Sequence, residues 1–150
     1  ELKSEFPKIS TDRMLVDAIT TRMVLQPQTL DTIVATNLHA DILSDLAAAL
    51  SGSLGMGPTA NINPEGTFPS MFEPIHGSAF DLVGKGLANP LGAFWSCVMM
   101  LDHLQEPQAA SKLMKTIEDV CQLGKNLPLD LGGKSRTTEV TSAICDALGD

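Results

Sequence analysis

The chain has 150 residues, of which 43% are hydrophobic and 19% charged; these proportions are typical of a globular domain with a real core and exclude a disordered chain. Ten Lys and Arg residues against eighteen Asp and Glu residues give a net charge of −8, which argues against a nucleic-acid partner because like charges repel. No apolar run approaches the roughly 18 residues of a membrane span, so we expect no membrane partner.

The cysteines and the first residues predict the compartment. The three cysteines, Cys97, Cys121 and Cys145, form no CxxC motif, and two of them lie among apolar positions of predicted helices. We therefore expect buried, reduced thiols and a cytoplasmic protein. The chain starts at Glu1 without an initiator Met or a signal-peptide pattern, so we expect it to be part of a longer chain.

The first long element is a predicted helix over residues 12–25. Ser10 and Thr11 are candidate N-caps, and Pro27 closes the pattern. Asp17 lies between two apolar residues of this helix, close to the predicted core side. A buried carboxylate must be paired or coordinated, whereas an aspartate at the edge of the apolar stripe needs no partner, and spacing leaves both interpretations open.

A buried strand is predicted over residues 31–36, and a helix is predicted from Ala40 onward. Asp41 and Asp45 are four residues apart and therefore share one face of that helix, where two like charges repel. A hard cation such as Mg²⁺ or Mn²⁺ between the carboxylates would offset the repulsion. The alternative is that the carboxylates only interact with the positive end of the helix dipole.

The middle of the chain is predicted to contain loops and two short strands. Residues 51–58 form a glycine-rich loop, which indicates close backbone approach or unusual dihedrals. A loop or interrupted strand over 59–63 leads into a turn at 64–66. A second strand region is predicted over 68–75.

A polar, glycine-bearing loop follows over residues 76–90. Asn89 and Pro90 predict a helix start, with Asn as N-cap and Pro at the first helical position. A polar loop that leads into a helix N-terminus can hold a nucleotide, but the stretch lacks the G-x-G-x-x-G fingerprint, so a structural role stays open. His76 on its own fits either a ligand contact or a satisfied loop histidine.

Three helices are predicted for the remainder, over residues 91–104, 109–123 and 137–148.

The absence of tyrosine and the small number of arginines bear on any interpretation of the chain as an enzyme. The chain has no tyrosine, and its only arginines are Arg13, Arg22 and Arg136. An enzyme that acts on small dicarboxylates usually needs several arginines and often a phenol as proton donor.

Four motifs together resemble the metal-dependent, β-decarboxylating 2-hydroxyacid dehydrogenases, the family of isopropylmalate, isocitrate, D-malate and tartrate dehydrogenases. They are Asn37-Leu38 with Asp41-Ile42-Leu43-Ser44-Asp45, then Gly52-Ser53-Leu54-Gly55, then Phe72-Glu73-Pro74-Ile75-His76-Gly77-Ser78-Ala79, and finally Ala88-Asn89-Pro90. The resemblance covers nearly the whole chain and corresponds to about the C-terminal two fifths of such an enzyme. It implies an α/β fold with a mixed sheet flanked by helices.

The resemblance implies two domain portions and a shared metal site. Residues 1–50 would belong to a smaller, dimer-forming domain, and residues 51–150 to a cofactor-binding domain. Asp41 and Asp45 match the family's paired metal ligands, and Asp17 matches an aspartate that reaches the metal of the other subunit of a homodimer. Asp41 is the candidate catalytic residue, which accepts the proton of the substrate hydroxyl.

The resemblance also implies NAD as the cofactor. The residues that match the cofactor region are Glu73, His76, Gly77, Ser78, Ala79, Asp81 and Asn89. The carboxylate of Asp81 can accept hydrogen bonds from ribose hydroxyls and would repel a 2′-phosphate, which favours NAD over NADP.

Three departures from the commonest family pattern bear on the substrate. His39-Ala40 replaces an aromatic residue and glycine, and Phe80 replaces proline. The His-Ala version resembles the tartrate or D-malate branch, so we expect oxidation, with possible decarboxylation, of a 2-hydroxy dicarboxylate. The alternatives are an isopropylmalate dehydrogenase and a non-catalytic nucleotide-binding or structural module. We expect the chain alone to be inactive, because the family's arginine clamp and its catalytic Tyr and Lys are not in it.

Overall fold

The computed structural model describes residues 2–149. The chain divides into two compact units, Glu1–Leu46 and Ala47–Asp150. The division falls inside one helix, Asn37–Leu50. We refer to the two as unit 1 and unit 2.

Unit 1 is built from short helices and extended segments. It contains α1 (Leu2–Glu5), α2 (Val16–Leu25) and most of α3 (Asn37–Leu50). A 3-10 turn over Pro27–Thr29 follows α2. The turn is tied back to α2 by Arg22, whose guanidinium donates hydrogen bonds to the Oγ1 atom and the carbonyl of Thr29 at 2.7 and 3.1 Å.

The start of α2 differs from the predicted start. The helix begins at Val16, and Leu15 occupies its N-cap position without a side-chain hydrogen bond, so neither Ser10 nor Thr11 caps it. Asp12 precedes the helix and pairs with Arg22 at 3.2 Å. The prediction that Asp17 lies close to the core side was also wrong, because Asp17 is exposed.

The predicted buried strand over residues 31–36 is not formed. The segment is irregular, and Val34 in it is 95% exposed. A strand requires a hydrogen-bonding neighbour on at least one side, and the described residues place none beside this segment. The apolar composition that predicted a strand is therefore present without a partner strand.

Unit 2 contains a two-stranded antiparallel sheet. β1 (Pro58–Asn61) pairs with β2 (Met71–Pro74) in a register that sets Thr59 opposite Glu73 and Ala60 opposite Phe72. The predicted loops, strands and intervening turn are thus present as one hairpin. With the helices, this sheet confirms the α/β prediction, although the expected mixed sheet is represented in the part described by this antiparallel pair alone.

Three helices supply the core of unit 2: α4 (Leu91–His103), α5 (Pro107–Leu123) and α6 (Thr137–Gly149). The bounds match the predicted helices closely, because apolar residues recur at helical spacing along one face. Gly124 ends α5 in the left-handed conformation, with φ of +69°. The buried core side chains are Leu91, Val98, Ala110, Leu113, Ile117, Val120, Val140 and Ile144.

The expectation of buried cysteines was wrong at two of the three positions. Cys97 and Cys145 are exposed on the outer faces of α4 and α6, and Cys121 is half-buried; all three are free thiols. Desolvation raises the pKa of the Cys121 thiol. The error arises because a helix with mostly apolar residues still has a face that the core does not cover.

No helix in the described residues is long and apolar enough to cross a membrane.

Candidate functional site

Unit 2 contains a partly open cavity of about 460 Å³ beside the N-terminus of α4. Its walls come from three separate segments: the 3-10 turn Leu54–Met56, the loop over residues 76–90, and the 3-10 turn Leu129–Leu131. The lining is mostly apolar. The lining residues are Leu54, Gly55, His76, Gly77, Ala79, Leu82, Leu87, Ala88, Asn89, Leu129 and Asp130.

The cavity gathers some of the residues predicted to bind the cofactor and leaves others outside. His76, Gly77, Ala79 and Asn89 line it. The remaining three do not line it: Glu73 is exposed on β2, and Ser78 and Asp81 are exposed on the loop.

The loop that carries these residues holds a strained backbone position at the cavity wall. Ala79 has φ of +42°, a conformation that costs a residue with a Cβ roughly 1–2 kcal/mol. A backbone hydrogen bond from the Leu82 N–H to the Ala79 carbonyl, at 2.8 Å, closes a turn immediately after it. Strained positions that persist are held by their surroundings and are common at binding sites, which fits the place of Ala79 in the lining.

Asn89 caps the start of α4, as the sequence predicts. Its Oδ1 atom accepts a hydrogen bond from the Leu91 N–H at 2.9 Å, and Pro90 already has helical dihedrals. The other end of the amide donates from Nδ2 to Oδ2 of Asp130 at 2.9 Å. A carboxylate oxygen only accepts and a backbone N–H only donates, so these two partners fix the orientation of the Asn89 amide.

Asp130 and Ser53 complete a network that the sequence analysis missed. The buried Ser53 hydroxyl donates to the same Oδ2 atom of Asp130 and accepts a hydrogen bond from the Gly55 N–H at 3.0 Å. Ser53 lies in one of the family motifs but has no predicted role, and Asp130 is not among the predicted site residues. The signal for Asp130 is one carboxylate between two leucines in an otherwise apolar turn.

Gly55 leaves room for this network. A Cβ atom at this position would lie 2.6 Å from Oδ2 of Asp130 and 2.9 Å from Cβ of Asn89. Such distances are shorter than van der Waals contact, so any side chain would push the two polar residues apart. Close approach, and not an unusual dihedral, is therefore the reason for glycine here.

The N-terminus of α6 holds the other end of the loop. The Thr137 N–H donates to the Gly86 carbonyl at 2.9 Å, and the Thr137 hydroxyl donates to the Ala88 carbonyl. The Glu139 carboxylate accepts a hydrogen bond from the Arg136 N–H at 2.6 Å, as in the second half of a capping box. The cavity wall next to Asn89 is thus anchored from α4 and from α6.

The predicted metal ligands lie in unit 1. Asp41 and Asp45 are both in α3 at a spacing that puts them on one face, and both are exposed. Within residues 2–149, neither carboxylate has a hydrogen bond or an ion pair. Asp17 is exposed on α2, where its Oδ1 atom accepts a hydrogen bond from the Ala18 N–H at 2.8 Å. The described residues contain no group of three or more His, Cys, Asp or Glu that could hold a metal.

The two sites suit different ligands. The cavity combines apolar walls with a few oriented polar groups, as small-molecule sites do, and its volume lies within their range of roughly 300–1,000 Å³. The paired, unengaged carboxylates of Asp41 and Asp45 offer oxygen ligands for a hard cation, but two carboxylates do not complete a coordination sphere. Further ligands would have to come from outside this pair.

Comparison with known proteins identifies relatives over almost the whole length. The family model described as "Isocitrate/isopropylmalate dehydrogenase" matches residues 1–148. A probable tartrate dehydrogenase/decarboxylase TtuC′ from Agrobacterium vitis is 62% identical over 148 residues, which is 99% of this chain and 41% of that protein. A decarboxylating D-malate dehydrogenase from Escherichia coli strain K12 is 44% identical over 152 residues, which is 98% of this chain and 42% of that protein.

Solved structures give the same result for the fold. The crystal structure of isocitrate dehydrogenase from Methylococcus capsulatus superposes with a TM-score of 0.91 at 41% sequence identity, and covers 99% of this chain and 44% of that one. The chain thus spans about two fifths of the length of the relatives it matches. The predicted fold is confirmed for that portion.

Proposed function

The chain belongs to the isocitrate/isopropylmalate dehydrogenase family, and from this premise we propose that it is part of an enzyme that oxidises tartrate or D-malate with NAD and a divalent metal. The observation that carries the proposal is the 62% identity to a probable tartrate dehydrogenase/decarboxylase over 99% of the chain. The relative named as a D-malate dehydrogenase supports the same class of substrate.

The cavity of unit 2 is the proposed site for part of NAD. Its apolar walls suit the flat face of a nucleoside base, and Asn89 and His76 offer polar contacts at the same wall. Asp81, on the same loop but outside the lining, is proposed to accept hydrogen bonds from ribose hydroxyls and to disfavour a 2′-phosphate. Glu73, Gly77, Ser78 and Ala79 remain proposed cofactor residues through the family motif.

The carboxylates of α3 are the proposed metal ligands. Asp41 and Asp45 are exposed and free of protein partners in the described residues, so a bound cation displaces no existing interaction. We propose that Asp17 of a second copy completes the site, which makes the active enzyme a homodimer. Asp41 and Asp45 would hold Mg²⁺ or Mn²⁺, which would supply Lewis-acid polarisation of the substrate oxygens, and NAD would supply the hydride acceptor. Asp41 is the residue proposed to accept the hydroxyl proton.

The chain by itself is proposed to be inactive. With only three arginines and no tyrosine, it lacks the groups that would clamp two substrate carboxylates and supply a phenolic proton donor. Arg22, one of the three, is already engaged by Thr29 and Asp12. We propose a cytoplasmic enzyme, because reduced thiols and NAD-linked oxidation of small acids both fit that compartment.

A substrate panel on the full-length enzyme tests the proposal. We expect NAD reduction with tartrate or D-malate in the presence of Mn²⁺, loss of the activity with a chelator, and little activity with isopropylmalate or isocitrate. Preferred turnover of isopropylmalate would replace the substrate assignment but keep the reaction class. NAD binding without turnover of any of the four acids would favour a non-catalytic nucleotide-binding module. The 150-residue chain assayed alone should show no turnover.

A further inference from the structure

We propose that Ser53 is a positioning residue for the nucleotide cavity, which acts through Asp130 on the amide of Asn89. The inference rests on the proposed function in one respect, namely that the cavity receives NAD. It adds a residue that does not line the cavity.

The first step of the argument is the geometry of the Asp130 carboxylate. Two donors converge on its Oδ2 atom, the Ser53 hydroxyl and the Asn89 Nδ2 group, from positions 77 and 41 residues away in the chain. Asp130 is exposed at the cavity wall. A single exposed carboxylate rotates freely about its side-chain bonds, so one donor would leave its direction loosely defined. Two donors on the same oxygen fix it.

The second step is the state of Ser53. Its side chain is only 8% exposed, and its hydroxyl both accepts from the Gly55 N–H and donates to Asp130. The hydroxyl proton therefore points at the carboxylate, because the Gly55 N–H occupies an acceptor position on the oxygen. Removal of this hydroxyl leaves the exposed carboxylate with one protein donor fewer, and solvent does not hold it in one fixed direction.

The third step connects the carboxylate to the cavity. Asn89 lines the cavity and is fixed between Asp130 on one side and the Leu91 N–H on the other. If Asp130 is loosened, the Nδ2 end of the amide loses its defined acceptor and the amide can rotate away from the helix cap. Binding of a ligand next to Asn89 must then also order the amide, and the entropic cost of this ordering weakens binding. Ser53 thus controls affinity for the nucleotide without touching it.

The test compares Ser53→Ala with Ser96→Ala in the full-length enzyme. Ser96 is a matched control, because it is also buried and its hydroxyl also makes a hydrogen bond, but to the Gly92 carbonyl within α4 and away from the cavity lining. We expect Ser53→Ala to raise the calorimetric Kd and the KM for NAD about 3- to 10-fold with kcat changed less than about 2-fold. Ser96→Ala should leave the NAD affinity within about 2-fold of the unsubstituted enzyme.

A double-mutant cycle tests the route through Asp130. If Ser53 acts only by orienting that carboxylate, the effect of Ser53→Ala on the Kd for NAD should disappear in an Asp130→Asn background. A merely structural role of Ser53 would lower the unfolding temperature of both backgrounds alike and would leave the effects on Kd additive. Additive effects on Kd, or equal effects of Ser53→Ala and Ser96→Ala, would overturn the inference.

The same experiment separates this inference from the proposed function. If the unsubstituted enzyme binds no NAD by calorimetry, the proposed cofactor and the role of Ser53 both fail. If it binds NAD and turns over substrate but Ser53→Ala behaves as Ser96→Ala does, the proposed function stands and only the inference fails.

Discussion

The two units present their candidate site residues in opposite ways. In unit 2, Ser53, Asn89 and Asp130 come from three distant segments and are joined by hydrogen bonds, and the last two line a cavity. In unit 1, Asp17, Asp41 and Asp45 are exposed, and the described residues group no third carboxylate with the α3 pair. The proposed nucleotide site of unit 2 is thus largely preorganised, whereas the proposed metal ligands of unit 1 would require groups from elsewhere.

This difference has a physical consequence for binding. A preorganised wall pays little conformational entropy when a ligand arrives, so its affinity is sensitive to the protein contacts that maintain it. An exposed carboxylate pair would be ordered only when a cation and further ligands arrive. Substitutions should therefore act on chemistry in unit 1 and on packing and affinity in unit 2.

The largest expected effect belongs to the carboxylate pair. Asp41→Asn in the full-length enzyme should lower kcat with Mn²⁺ at least about 100-fold, because it removes the charge of a proposed metal ligand that is also the proposed proton acceptor. It should also weaken Mn²⁺ binding, measured by calorimetry. Asp146→Asn, at an exposed aspartate on α6, is the isosteric control and should stay within about 2-fold. Unchanged kinetics in Asp41→Asn would reject the role assigned to this residue and would remove the contrast between the units.

The next effect tests how tightly the cavity wall of unit 2 is packed. Gly55→Ala should destabilise the protein by about 1–3 kcal/mol, because the added Cβ would lie 2.6 Å from Oδ2 of Asp130 and 2.9 Å from Cβ of Asn89. Thermal unfolding of the full-length protein measures it. Gly77→Ala is the matched control, since Gly77 lines the same cavity but its added Cβ would meet nothing within 4 Å. Equal unfolding temperatures for the two variants would mean that Asp130 and Asn89 can move to admit the added Cβ without loss of stability.

The same contrast explains how far the sequence predicted the molecule. The long helices of unit 2 follow from periodic apolar residues, and the start of α4 follows from Asn89 and Pro90, because both signals are local. The role of Asp130 could not be predicted, since its partners are 41 and 77 residues away. The strand over residues 31–36 was predicted wrongly for a related reason. The apolar composition of this segment favours a strand, but the described residues place no hydrogen-bonding neighbour beside it.

The late start of α2 shows a similar limit. Ser10 and Thr11 have the right side chains for capping, but the position before the helix is Leu15, and Asp12 lies outside the helix in an ion pair with Arg22. A cap is worth only about 1 kcal/mol, so residues of the capping type do not by themselves set a helix boundary. The cysteines are a third example of a wrong prediction. Their apolar neighbours in the sequence indicated burial, but Cys97 and Cys145 lie on helix faces that the core does not cover.

The smallest expected effect concerns Asp81 of unit 2, which is an exposed carboxylate like Asp41 and Asp45 of unit 1. Asp81 lies on the loop of the cavity but does not line it, is exposed, and has no hydrogen bond or ion pair within residues 2–149. Like the α3 carboxylates, it can act only when a ligand reaches it. Asp81→Asn keeps the side-chain shape and one acceptor oxygen but removes the charge, so it separates hydrogen bonding to a ribose from repulsion of a 2′-phosphate.

We expect Asp81→Asn to lower the preference for NAD over NADP, measured as the ratio of the two kcat/KM values in the full-length enzyme, by about 10-fold, mainly through better use of NADP. Asp102→Asn, at an exposed aspartate on α4 outside the cavity lining, should leave the ratio unchanged. An unchanged ratio in Asp81→Asn would mean that the charge of Asp81 does not act on the ribose end of the cofactor. Discrimination would then have to come from the cavity lining itself, and the loop would contribute shape without charge.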